Sequence, residues 1–247
     1  MAALDWLTAR PIAHRGLHDA ARGVIENTPS AFQAAIDADF GIECDVQVSA
    51  DGDAMVHHDA VLGRLTEGEG PLAGMSTTAL RDVRFRATTD RIITLGELCS
   101  LVGGRVPLVV EIKSTFDGTH TQLTQRVAST LARYDGPAAA MSFDPEVVTM
   151  LRERAPELTR GIVAERHYAD REWSWMSAAQ RFAFGNLLHM PQTCPHFIAY
   201  NVKELPTLAT TIARRLMRRP LLTWTVRSAE DREAAARHAS QMIFEGF

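Results

Sequence analysis

Hydrophobic and polar positions follow two periods along this chain. Short apolar runs with β-branched residues recur at PIAHR (11–15), GIECDVQV (41–48), AMVHH (54–58), PLVVEIK (107–113), AAAMSF (138–143), RGIVAE (160–165), HFIAYN (196–201), LLTWTV (221–226) and QMIFEGF (241–247). Amphipathic stretches separate them, several with a recognisable helix start: Thr28 before Pro29, Thr94 three residues ahead of Glu97, Asp144 before Pro145, and Ser228 three residues ahead of Asp231. Strand then helix, repeated, predicts a parallel sheet of β/α units. Nine strands are one too many for an eight-stranded barrel. The surplus resolves at Asp51-Gly52, a pair that favours a tight hairpin because both residues tolerate positive φ. A hairpin makes its strands antiparallel, whereas barrel staves run parallel. The expected fold is therefore an α/β, (β/α)8 TIM barrel with a small excursion inserted after the second strand, spanning residues 49–105 and including the Gly-rich run at 63–75. No low-complexity linker or fixed-period repeat divides residues 1–247, so one domain is expected.

Composition changes this picture little. With 247 residues, 46% hydrophobic and 23% charged, the chain has the size and make-up of one such barrel. A net charge of -4 leaves no basic footprint for nucleic acid. The run RRLMRRP (214–220) reads as a solvated helix end, where cations suit the dipole. The first residues lack a basic region followed by an apolar core, and nowhere do about 18 apolar residues follow one another. A cytoplasmic protein without stable membrane insertion is expected. The aromatic-rich stretch from Arg171 to Met190 is expected to be core. Cys44, Cys99 and Cys194 are odd in number with no C-x-x-C pair, which predicts three buried, small apolar residues rather than disulfides or zinc ligands.

Candidate chemistry emerges from strand parity. Side chains alternate faces along a strand, so Glu43 and Asp45 share one and Cys44 takes the other. With Asp51 and Gly52 as a two-residue loop, Val48 would lie opposite Met55, Val46 opposite His57, and Asp45 opposite His58. Directly opposite residues share a face. His58, not His57, is then expected beside the carboxylates, on condition that no bulge intervenes. Glu111 and Lys113 have the same spacing near the end of the third stave, and His14 and Arg15 end the first. Strand ends converge at the mouth of a barrel, where such folds carry chemistry. Three carboxylates in one place repel unless neutralised. Their hard oxygens suit Mg²⁺ or Ca²⁺, and also Mn²⁺, better than a structural zinc. Arg15 and Lys113 beside them suit a phosphate, and two histidines suit acid and base roles.

These residues, AHRG (13–16), ENTPSAF (26–32), ECDVQVSADGDAMVHHD (43–59), LGRLTEGEG (62–70) and EIK (111–113), resemble the glycerophosphodiester phosphodiesterase family, over nearly the whole chain but more loosely in its last third. The resemblance implies one divalent cation held by Glu43, Asp45 and Glu111, catalytic histidines His14 and His58, and phosphate-binding cations Arg15 and Lys113. It places a hydrogen-bonding partner at Asn27, within the ENT run of Glu26, Asn27 and Thr28, and Trp224 of the seventh stave in an alcohol pocket. The implied substrate is a small glycerophosphodiester, cleaved to sn-glycerol 3-phosphate and an alcohol. Two departures stand out: the doubled histidine at 57–58, and a last strand reading IFEGF where an aspartate often follows. With no eighth helix after that strand, a barrel flank would be available for a homo-oligomer. Headgroup release from lysophospholipids, an enolate-forming metal barrel and an inactive binding member of the fold are the rival readings.

Overall fold

In a computed structural model, residues 4–169 and 173–246 are described. Eight parallel strands, β1 (Ile12–Ala13), β2 (Gly41–Val48), β4 (Leu108–Ile112), β5 (Ala138–Ser142), β6 (Thr159–Ala164), β7 (Phe197–Asn201), β8 (Leu221–Val226) and β9 (Gln241–Phe244), form a sheet that closes because β1 pairs with both β2 and β9. The ninth, β3 (Ala54–Val56), pairs antiparallel to β2 and is bridged on its other side by Thr94. The fold is a (β/α)8 barrel with a hairpin standing off the second stave. Among the described residues no helix is long and apolar enough to cross a membrane.

Helices form where the caps foretold. Thr28 accepts from Ala31 N to start α2 (Pro29–Asp37), Thr94 and Glu97 make a reciprocal box at α4 (Leu95–Val102), and Asp144 and Ser228 cap α6 (Pro145–Arg154) and α10 (Ala229–His238). Each cap satisfies backbone N–H groups that have no intrahelical partner. The apolar face of α4 (Leu95, Leu98, Val102) packs with Phe32 and Ala35 of α2, so α4 is part of the outer ring. The excursion expected over 49–105 is accordingly shorter at its end. What precedes α4 has its own apolar cluster of Met55, Leu62, Leu72, Leu80, Phe85 and Ile92.

Alternation assigns the strand residues to two cores. One parity packs outward under the helices, with Ile42, Cys44, Val110 and Ala140 fully buried. The other fills the barrel with Ile12, Val109, Ala139, Val163, Phe197, Leu222 and Ile243. Room for the Phe197 ring comes from Gly161, where an added Cβ would lie 2.3 Å from it. A second glycine is required at the barrel mouth. Gly16 has φ +80°, and a Cβ there would lie 2.8 Å from the Ala31 carbonyl carbon of α2. Gly16→Ala is expected to destabilise the protein by about 2–4 kcal/mol, from left-handed strain plus a backbone clash. Thermal unfolding checks this, as a fall in midpoint of about 4–16 °C.

Three expectations need correction. Cys44 and Cys99 are buried but Cys194 is exposed, because it follows the short helix α8 (Met190–Thr193) at the surface. In the 171–190 stretch Trp173 and Met176 are buried, whereas Trp175, Phe182 and Leu188 are exposed; Arg171 and Glu172 lie outside the described residues. The hairpin register is shifted by one: Val46 pairs with Val56 and Val48 with Ala54. The turn is longer than two residues, with Ser49 N bonded to Asp53 O and the Ser49 hydroxyl to Asp51.

Candidate active site

The barrel's inward parity continues past its apolar layers to the C-terminal ends of the strands, and there it turns polar. His14 follows Ile12, Glu43 and Asp45 follow Gly41, Glu111 and Lys113 follow Val109, and Glu165, Asn201 and Trp224 follow in the same way on later staves. Parallel pairing sets Asp45 beside Glu111. A cavity of about 560 Å³ opens at this end, lined among others by His14, Arg15, Glu43, His58, Glu111 and Lys113.

Glu43, Asp45 and Glu111 each offer a carboxylate oxygen within 4.8 Å of the others. All three are buried, Glu43 completely. Glu43 Oε1 accepts no hydrogen bond, while Asp45 Oδ1 faces Lys113 Nζ at 2.8 Å. A buried carboxylate oxygen without a donor is costly, and a hard divalent cation is a partner that suits Glu43 beside the other two acids. Burial, helped by Asp45 and Glu111, pushes Glu43 well above the ordinary carboxylate range. Burial alone would do the same to Asp45, but Lys113 and then Arg15 outweigh it and hold that group well below.

The loops hold these acids in place. Asn27 donates through Nδ2 to Asp45 Oδ2 (2.9 Å) and accepts from Asp45 N (3.2 Å). Arg15 donates its backbone N–H to Glu43 Oε2 (3.0 Å), while its guanidinium reaches Glu26 at 2.8 Å and Asp45 at 3.1 Å. Arg15 and Asn27 both have φ +57°, and Asn27 N bonds to Arg15 O. Two non-glycine residues in this sparsely populated region are strain concentrated at the mouth. Thr28 turns away to cap α2.

Both histidines of the cavity use Nδ1 for a carboxylate. His14 Nδ1 is hydrogen-bonded to Glu245, and its Nε2 lies 3.8 Å from Glu43. Burial lowers the His14 pKa, against the bond to Glu245. His58 Nδ1 is 2.8 Å from Asp59. An arginine anchors each acid: Arg227 Nε is 2.6 Å from Glu245, and Arg64 Nε is 2.6 Å from Asp59. Burial would raise the pKa of Glu245, but the hydrogen bonds to His14 and Arg227 outweigh it and keep the group well below its ordinary value. A carboxylate on Nδ1 fixes ring and tautomer and leaves Nε2 for proton transfer. His57, by contrast, is 3% exposed, bonds through Nδ1 to the Asp59 carbonyl at 2.9 Å, and does not line the cavity.

Glu245, Asp59, Glu165 and Asn201 were not anticipated as site residues. Parity would have found three of them, since Glu165, Asn201 and Glu245 occupy inward positions at the ends of the fifth, sixth and eighth staves. Glu245 lies beside His14 because β1 and β9 pair through Ala13 and Phe244. Trp224 lines the far wall of the cavity, edge-on to Phe143 at 5.5 Å.

A family model described as "Glycerophosphoryl diester phosphodiesterase family" matches residues 14–246. A glycerophosphodiester phosphodiesterase of Caldanaerobacter subterraneus is 29% identical over 234 residues, 90% of this chain and 87% of that protein. This chain spans 61% of a matching Mycobacterium tuberculosis protein and about half, 49%, of the mammalian relatives it matches. Among solved structures, an Oleispira antarctica phosphodiesterase in complex with the product sn-glycerol-3-phosphate superposes with a TM-score of 0.78 at 18% identity, covering 97% of this chain and 94% of the other. A Thermotoga maritima glycerophosphodiester phosphodiesterase gives 0.69 at 22% identity, with 94% and 92% covered. At these identities the structures share the fold.

Proposed function

The chain belongs to the glycerophosphoryl diester phosphodiesterase family, and from this premise we propose that it hydrolyses glycerophosphodiesters to sn-glycerol 3-phosphate and an alcohol, with one divalent cation and a pair of histidines. The observation that carries the proposal is the meeting, at one cavity, of Glu43 and Glu111 with Asp45 beside them, two cations and two carboxylate-anchored histidines.

Glu43, Asp45 and Glu111 would hold Mg²⁺, Ca²⁺ or Mn²⁺. Bound there, the ion supplies Lewis-acid stabilisation of phosphoryl charge and lowers the pKa of a nearby hydroxyl. Arg15 and Lys113 keep their charges, because neighbouring carboxylates outweigh burial and raise both pKa values. They would bind the phosphoryl oxygens as charge-assisted donors. Of His14 and His58, one Nε2 takes the proton of the attacking oxygen and the other protonates the departing alcohol. A neighbouring glycerol hydroxyl and a water can both be activated in this way. In balance, one P–O bond breaks, one water is consumed, and the alcohol leaves with a proton.

To test this, purified protein is given glycerophosphocholine, glycerophosphoethanolamine, glycerophosphoglycerol and a lysophospholipid, with Mg²⁺, Ca²⁺, Mn²⁺ or chelator. Expected is sn-glycerol 3-phosphate from at least one diester, about 10²-fold or more slower in chelator and restored by the cation. Release of no glycerol phosphate in any condition sinks the proposal, and release of free glycerol with a phosphoalcohol overturns the stated bond cleavage.

A further inference from the structure

Exposed apolar side chains are not scattered over this protein. Val61 apart, every large one among the described residues lies between positions 175 and 217, in the connections that follow the paired strands β6 and β7. The second connection contains α9 (Leu208–Arg215), which is built the wrong way round for a helix that only covers a barrel. Its small residues are the buried ones: Thr210 and Ala213 are enclosed, and Ala209 and Ala213 pack on the cluster of Ile198, Tyr200 and Leu221. Leu208, Ile212 and Leu216, each one turn from the next, face outward at 77%, 40% and 76% exposure, and Met217 extends the row. Phe182 and Leu188 stand out from the neighbouring connection. Single exposed apolar residues are ordinary, but a row of them with others nearby marks a contact surface.

The charge of the same segment is one-sided. Residues 205–229 contain Arg214, Arg215, Arg218, Arg219 and Arg227 and no acid, in a chain whose net charge is -4. Glu204, just ahead of them, is engaged by His167 at 2.7 Å, and Arg227 turns to Glu245 at the barrel mouth. The other arginines gather at the far end of α9. There Arg214 Nη1 donates to the Arg237 carbonyl at 3.5 Å and adjoins the basic last turn of α10. Arg215 and Arg218 are exposed and pair with no acid among the described residues. Cations in a last turn suit the helix dipole, which accounts for Arg214 and Arg215 but not for Leu216 and Met217 exposed between them and Arg218.

We infer that this face is a peripheral docking surface for an anionic lipid bilayer, with α9 lying in the plane of the interface. The aliphatic row enters the boundary between headgroups and acyl chains, while the arginine heads beside it reach lipid phosphates. The positive charge of the segment complements the negative surface, and each arginine brought there strengthens binding about fivefold. A second copy of this chain suits the face less, because a two-fold contact sets one patch against itself, arginine against arginine. The inference is independent of the diesterase reading, since the docking residues are not those of the catalytic cavity.

To test this, the full chain is sedimented with vesicles of phosphatidylcholine alone and with vesicles in which about one-third is replaced by phosphatidylglycerol. Binding to the anionic vesicles is expected to exceed binding to the neutral ones by about tenfold or more, and to weaken as salt rises. The double variant Arg215→Gln/Arg218→Gln should weaken it about 30-fold, and Leu208→Ser/Leu216→Ser about tenfold or more. Arg22→Gln/Arg84→Gln removes the same charge from exposed positions elsewhere and should change binding less than about threefold. All these positions are exposed, so thermal melting should stay at the parent value and confirm that each variant folds. Equal binding to the two kinds of vesicle, or binding to neither, overturns the inference. Full binding by Leu208→Ser/Leu216→Ser also overturns it, since the attraction is then charge alone, as does an equal loss in Arg22→Gln/Arg84→Gln. A parent chain that is dimeric without vesicles and monomeric in Leu208→Ser/Leu216→Ser gives the face to a second copy and overturns it as well.

Discussion

Glu43→Gln is expected to lower turnover of the best diester by about 10³-fold or more and to abolish stabilisation by divalent cations. Lewis-acid assistance is worth several kcal/mol, and each 1.36 kcal/mol is tenfold in rate. Amide for carboxylate preserves shape while removing one of three charged ligands. A cation at 100 times its Kd stabilises the native state by about 2.7 kcal/mol. For a chain of this length that raises the unfolding midpoint by about 5–11 °C, and the variant should show little of it. In chelator the sign reverses. Burial, Asp45 and Glu111 push Glu43 above its unfolded pKa, so the folded state binds the extra proton. Stability from this group is present below the ordinary carboxylate range and is lost as pH rises through the raised value. Glu43→Gln escapes that loss, so at neutral pH in chelator the variant should be at least as stable as the parent. Calorimetry with and without Mg²⁺ or Ca²⁺ checks both halves. A cation-induced rise of equal size in the two proteins contradicts the role given to Glu43.

The same contrast explains what could be read in advance. Period-two alternation has a local cause, so the eight staves and the common face of Glu43 and Asp45 were legible from residue order alone. The surplus strand was legible because Asp-Gly marks a turn. Contacts set by chain closure were not. Glu245 meets His14 only because the last strand pairs with the first, across 231 residues of sequence. Asp59 was in view beside His58, but its grip on the imidazole depends on Arg64 and Glu26 closing over it. Helix α7 (Ala178–Gly185) carries Phe182 outward, so the core expected over 171–190 was overstated there. The Ser49–Asp53 turn was misjudged because the Ser49 hydroxyl and Asp51 organise a longer loop than Asp-Gly by itself would form.

That turn bears on the second large effect, the separation of the two adjacent histidines. His58→Ala is expected to lower kcat by about 10²–10⁴, the usual contribution of a positioned acid or base. His57→Ala should leave kcat within about tenfold and instead cost about 1–3 kcal/mol of stability, from a lost hydrogen bond and a cavity. Parity led to His58 through a register in which Asp45 lies opposite it. The observed register is one residue shorter, and by parity alone it would have placed His57 there; His57 N indeed donates to Asp45 O at 3.0 Å. Yet β3 ends at Val56, and beyond it the alternation of a strand no longer applies. The chain turns so that His57 is enclosed and bonds to the Asp59 carbonyl, while His58 reaches the cavity with Nδ1 on the Asp59 carboxylate. Burial lowers the His57 pKa, so that ring stays neutral near pH 7 and its contribution is packing. Imidazole added to His58→Ala should restore part of the rate, because it replaces a proton carrier. The same addition should do nothing for His57→Ala. Loss of turnover in the His57 variant with retention in the His58 variant would assign the chemistry to the enclosed ring and overturn the site as drawn.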